Sequence, residues 1–192
     1  MLASASLQKG DTVLCRQLLG DLLYYLAPKT DEASRDGLDH LIDTYILGRG
    51  DIWKSPDDSV KVIGYAGMMD DLLSRSRPGT RIDGITLPGT LLRHHKAKET
   101  RINLRKIRGR RNVTIFYTQG CHVCAAEKSA AAALAAQDKS VRVFMVNVDE
   151  VLGDSPDLAG RMFDTFDLSS LPFIIETDKK GNITRRYASL IK

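Results

Sequence analysis

One stretch constrains this chain more than any other. The run Val113-Thr114-Ile115-Phe116-Tyr117 is followed by a three-residue loop, then by Cys121-His122-Val123-Cys124 and an alanine-rich segment. The run is β-branched and aromatic, which predicts a strand. Ala125, Ala126, Glu127, Lys128 and Ala130 to Ala133 are strong helix formers, and neither Pro nor Gly interrupts before Gln137. The first four N–H groups of a helix lack intrahelical partners, and the peptide dipoles leave partial positive charge at that end. A thiolate there is stabilised, and its pKa falls from about 8.5 to between about 3.5 and 7.5. Three residues on, the helix has made nearly one turn, so the second sulfur can reach the first. Cys121 is the candidate nucleophile and Cys124 the candidate resolving thiol, and the pattern predicts thiol–disulfide exchange.

Other uses of the pair stay open on the residues alone. A structural zinc site needs further ligands, yet the only other cysteine is the distant Cys15, and no His-x3-His accompanies the motif. An inert structural disulfide would use the same two residues. Soft Cu(I) suits two thiolates, although no histidine is spaced as a third ligand. Cys15 itself lies near an apolar helical stripe and reads as a small buried hydrophobe.

Composition narrows the class. A content of 43% hydrophobic and 27% charged residues is that of a soluble globular chain. No apolar run approaches the ~20 residues of a membrane span, and Met1 to Gly10 lack the apolar core of a signal peptide. The net charge of +4 is uneven. Between Arg93 and Arg111 nine Lys/Arg meet one acid, a local +8 that leaves −4 for the remainder. A basic block can serve nucleic acid. Here Ile102, Leu104 and Ile107 are interleaved with the charges, as in a half-buried loop and hairpin, and no nucleic-acid motif accompanies them. No nucleic-acid partner is expected.

Residues 1–77 read as a small all-α region. Leu14, Leu18, Leu19, Leu22, Leu23 and Leu26 recur at helical steps up to Pro28. Leu38, Leu41, Ile42, Tyr45 and Ile46 repeat the pattern up to Gly48. Ser55-Pro56-Asp57-Asp58 offers a cap, a proline at the first helical position and acids beside the positive end. Val62, Ile63, Ala66, Met69, Leu72 and Leu73 would give that helix its apolar face. From residue 78 to 192 the signal changes. Strands are expected at 84–87, 100–104, 113–117, 141–148, 173–176 and 183–187. Helices are expected after Cys121 and from Ser155-Pro156-Asp157, and Asp178-Lys179-Lys180-Gly181-Asn182 is a hairpin loop. Strand, helix, strand, helix, hairpin is an α/β sandwich with a mixed central sheet and flanking helices.

Three features in order carry a family resemblance. The first is the lead-in Gly84-Ile85-Thr86-Leu87 with Thr100 to Arg110, the second is Cys121-His122-Val123-Cys124, and the third is Ser170-Leu171-Pro172-Phe173 ahead of the terminal hairpin. Residues from Pro78 onward resemble the thioredoxin fold and, within it, the TlpA/ResA-like extracytoplasmic thiol–disulfide oxidoreductases. The resemblance implies a thioredoxin-like sandwich in which Pro172 is cis and lies against the two cysteines. It implies a disulfide reductase in which Cys121 and Cys124 are catalytic. Leu171, Pro172 and His122 then face the substrate. Pro172 brings no N–H, and the neighbouring backbone is free to pair with an extended segment. No cofactor and no metal is implied. Partners would be protein thiol or disulfide substrates and an upstream thiol reductant. The implied setting is extracytoplasmic, in the periplasm, with a membrane tether possible through a further N-terminal segment.

The chain also departs from that family. Gly120 stands where an aromatic usually precedes the first cysteine, which suggests a more open site. Ile115 stands where thioredoxin itself carries a buried acid. Glu127 and Glu150 are substitutes by position, but each reads more readily as a surface charge. The closing helix of the family is missing or very short, so one sheet face needs cover. Two alternative functions remain: a non-catalytic binding or copper-handling protein that kept the fold, and a thiol peroxidase suggested by Thr118-x-x-Cys121.

Overall fold

Amphipathic spacing accounts for the helical part. A computed structural model describes residues 11–53 and 56–191, with the backbone alone for residues 56–59. The expected helix start at Ser55-Pro56-Asp57-Asp58 and the stretch Met1 to Gly10 therefore lie outside the described residues and side chains. Contacts divide the chain into two units, Met1–Ser74 and Arg75–Lys192.

In the first unit, α1 (Thr12–Leu26) is capped by Asp11, whose carboxylate accepts from Leu14 N–H at 2.9 Å. It buries Cys15, Leu19 and Leu23, four residues apart, whereas Leu14 and Leu22 of the same leucine repeat are exposed. Asp31 caps α2 (Glu32–Leu41) through Ser34 N–H. The chain then winds through a wider turn, Ile42–Ile46, where Leu47 N–H reaches Ile42 O at 2.8 Å. In α3 (Pro56–Ser74), Ala66, Met69 and Leu73 are buried. Trp53 is also buried, and its Nε1 donates to Tyr45 O.

The second unit runs β1 (Thr86–Arg93), β2 (Lys96–Asn103), β3 (Arg111–Tyr117), α4 (His122–Gln137), β4 (Val141–Asn147), α5 (Val148–Asp154), α6 (Pro156–Thr165), β5 (Phe173–Asp178) and β6 (Ile183–Arg186). Its strands form one mixed sheet in the order β2-β1-β4-β3-β5-β6. Only β3 and β4 are parallel, joined by α4; the other neighbours are antiparallel. None of the described helices is long and apolar enough to cross a membrane.

The first hairpin differs from expectation. Strands anticipated at 84–87 and 100–104 become β1 and β2, and the chain reverses at His94, whose φ is 52°. The strand expected to end at Leu87 continues through Pro88-Gly89, which lies inside β1. Gly89 is needed there: a Cβ at this position would stand 2.2 Å from Met145 O on the neighbouring strand. The strand expected to run to Val148 also ends one residue early. Asn147 caps α5 by accepting from Asp149 N–H at 3.1 Å.

Alternation along the strands fills both faces of the sheet. On one face Ala131 and Ala135 of α4 pack with Val113, Ile115, Val143, Ile174 and Ala188. Alanines on the helix let it lie close to the sheet. Ala188, just after β6, joins this cluster and Leu190 packs against it, so the chain beyond β6 helps to cover this face. Elsewhere Phe116 packs against Phe166, with ring centroids 4.7 Å apart, and Phe173 against Tyr187 at 4.9 Å.

Candidate functional site

The cysteine pair forms at a junction the sheet dictates. β3 ends at Tyr117, and Thr118-Gln119-Gly120 carries the chain to Cys121. Gly120 takes a φ of 75°, a left-handed conformation that suits glycine, and a Cβ there would meet open space. The loop is tied down at Gln119, whose N–H donates to Asp149 Oδ2 on α5 at 3.0 Å.

Cys121 is the N-cap of α4, and its Sγ accepts from Cys124 N–H at 3.1 Å. The first turn of α4 carries no acidic side chain. The positive end of the helix is therefore left to the sulfur. Cys121 and Cys124 are joined in a disulfide with their Cα atoms 5.2 Å apart. The two sulfurs differ in access: Cys121 is half-buried, whereas Cys124 is 1% exposed. Exposure at the residue level therefore favours Cys121 over Cys124. His122 and Val123, between them, are both exposed.

Register brings the proline loop to the same end of the sheet. Phe116 of β3 pairs with Phe173 of β5, so Pro172 falls level with Tyr117, where the loop toward Cys121 begins. The Leu171–Pro172 bond is cis, and both residues are half-buried. Asp167, itself buried, organises this loop: Oδ1 accepts from Ser169 N–H at 3.1 Å and Oδ2 from Tyr187 O–H at 2.6 Å. Neither Asp167 nor Asp149 is among the site residues the sequence predicts. A local signal existed for each, namely an Asp two residues before Ser169 and the Asn-x-Asp start of α5.

Glu127 requires a correction. Its surface-charge reading fails, because the residue is 4% exposed on the same helix face as Cys124, three residues on. Its carboxylate accepts from Ser189 Oγ at 2.5 Å and from Leu190 N–H at 2.8 Å. The partners lie more than sixty residues away, which is why no local pattern announces the burial. Glu150 is exposed, as read, and accepts from Asn147 Nδ2. Ile115 is fully buried in the core, so this strand position offers no proton acceptor. Tyr117 is half-buried with the Lys128 ammonium 3.8 Å from its ring centroid. Burial first, then the charges of Glu150 and Glu99, hold its phenol above the ordinary tyrosine range.

The chain is similar to several solved structures. A thioredoxin-like protein from Bacteroides caccae shares 12% identity over 97% of this chain and 81% of its own, with a TM-score of 0.49. The thioredoxin domain of a thiol-disulfide oxidoreductase from Bacteroides vulgatus shares 16% over 59% of this chain and 89% of its own, at 0.39. A domain of a possible thiol-disulfide isomerase from Cytophaga hutchinsonii shares 12% over 59% and 86%, at 0.40. No family model and no curated protein matches the sequence. Likenesses this distant transfer no activity. The strand order decides the fold: β4-β3-β5-β6 with a helical crossover between β3 and β4 and a terminal antiparallel hairpin. The second unit has a thioredoxin-like fold.

Proposed function

We propose that this protein is a thiol–disulfide oxidoreductase working as a reductase of protein disulfides. The observation that supports this best is the asymmetry of the pair: one sulfur caps a helix and is accessible, the other is buried one turn behind it. In the reduced enzyme the Cys121 thiolate attacks a substrate disulfide. A Cys121–substrate bond forms, the substrate S–S bond breaks, and one substrate thiolate leaves and takes a proton. Cys124, deprotonated, then attacks Cys121 Sγ. The Cys121–Cys124 bond forms and the second substrate thiol departs. Two electrons pass from the enzyme dithiol to the substrate disulfide, and an upstream dithiol must return them.

Leu171 and Pro172 supply the wall against which an extended substrate segment lies, and His122 borders the entrance. The setting we infer is extracytoplasmic, in the periplasm, by analogy with the resembled group. The test is a trapping experiment. Cys124→Ser should accumulate mixed disulfides on Cys121 that dithiothreitol releases. If that variant captures no protein while the wild type reduces disulfides, the division of roles is wrong. A reductase should also show a Cys121–Cys124 potential near or below about −270 mV, whereas one near about −120 mV marks an oxidant.

A further inference from the structure

The opposite end of the same sheet carries a basic cleft. Arg81, Arg108, Lys179, Lys180 and Asn182 line one cleft of about 450 Å³. Register places it away from the cysteines: Asp178, at the start of the hairpin loop, pairs with Arg111, where β3 begins. Among the described residues none of the four cations has a carboxylate partner. Nearby cations are treated differently. Arg111 and Arg185 share the buried Glu176 carboxylate, at 2.6 and 3.1 Å. The one acid of the hairpin loop, Asp178, gives its oxygens to Lys180 N–H, Asn182 N–H and Asn182 Nδ2 at 2.8 to 2.9 Å.

The positive field extends further. Arg108 also lines a hollow of about 210 Å³ with Arg93, Lys106 and Arg142. Burial and then the Arg93 charge hold Arg142 below the ordinary arginine range. Like charges gathered in excess of nearby carboxylates repel, and an anion relieves them. Guanidinium forks match phosphate oxygens in pairs, while ammonium groups act as point charges. The lining of both hollows offers no aromatic ring on which a base could stack, which argues against single-stranded nucleic acid.

We propose that this cleft binds adjacent phosphate groups, carried either by a soluble polyphosphorylated ligand or by the headgroups of an anionic lipid surface. The test uses the full chain and two probes: inorganic tripolyphosphate in calorimetry, and sedimentation with phosphatidylglycerol–phosphatidylcholine vesicles against phosphatidylcholine alone. Arg81→Gln with Arg108→Gln should weaken tripolyphosphate binding by about tenfold or more. Lys61→Gln with Arg161→Gln removes the same charge elsewhere and should change it by less than about twofold. Sedimentation with the anionic vesicles, lost in the cleft variant, assigns the phosphates to a lipid surface; tripolyphosphate binding without sedimentation assigns them to a soluble ligand. The proposal is overturned if wild-type protein does not bind tripolyphosphate, if citrate binds as tightly, if the two variant pairs weaken equally, or if a single-stranded oligonucleotide binds more tightly in a base-dependent way. Unchanged alkylation of reduced Cys121 in the cleft variant is expected, because the two sites lie at opposite ends of the sheet.

Discussion

The helical unit and the sheet unit each set a cysteine near a helix start, and the two thiols meet opposite surroundings. Cys15 lies one turn into α1, fully buried, and the positive end of that helix is already engaged by the Asp11 carboxylate. Burial pushes the Cys15 thiol up, Arg49 pulls it down more weakly, and Asp11 adds a further rise. Cys121 is itself the cap of α4, with no acid in the first turn. A helix terminus acts on whatever group occupies the cap, so sequence proximity to a helix start does not by itself make a thiol reactive.

The largest test of that contrast is activity. Cys121→Ser should abolish disulfide reduction, a loss on the order of a hundredfold or more, because the covalent route disappears. Cys15→Ser should leave turnover within about twofold, measured by insulin reduction. If both variants lose activity equally, the contrast is broken.

Stability should run the other way. Cys15→Ser puts a hydroxyl at a fully buried position and should cost about 1–3 kcal/mol in urea unfolding. Cys121→Ser, compared with reduced wild type, keeps a good capping residue and should change stability by no more than about 0.5 kcal/mol. Glu127→Ala should cost about as much as Cys15→Ser. It removes the acceptor for Ser189 Oγ and Leu190 N–H, and about 1–3 kcal/mol should be lost. If that substitution is neutral, the C-terminal segment is not held as described.

The smallest effect is expected at acid pH. Hydrogen bonds, first from Asn182 N–H, hold the Asp178 carboxyl below its ordinary value of 3.8. Its contribution is complete above that value and is lost as the pH falls through the lower folded one. Thermal scans from about pH 5 to about pH 2 should therefore show a slightly shallower decline for Asp178→Asn than for wild type. An identical slope removes this carboxylate from the acid response.

Much of this was legible in the chain wherever the signal was local. The run to Tyr117, the pair at Cys121 and Cys124, and the alanines of α4 sit within one stretch, and each obeys a short-range rule. What was not legible depended on distant partners. β1 continues through Pro88-Gly89 because Gly89 faces Met145 O, which lies far along the chain. Glu127 reads as a surface charge until Ser189 and Leu190 fold back onto it. Leu14 and Leu22 share a leucine repeat with Leu19 and Leu23, and periodicity alone could not say which would be exposed. The α5 start at Asn147 is hidden differently: Val148 extends the apolar run of β4, so the capping signal lies inside what reads as strand.

The central claim is that the N-terminal end of α4 holds one sulfur ionised near neutral pH. Its most direct test is the rate of iodoacetamide alkylation of Cys121 against pH, in reduced protein, followed by peptide mass spectrometry with Cys15 as the internal comparison. The account predicts an inflection for Cys121 between about pH 3.5 and pH 7.5, with Cys15 unreactive in the folded state. An inflection near about 8.5, the value of free cysteine, would contradict it.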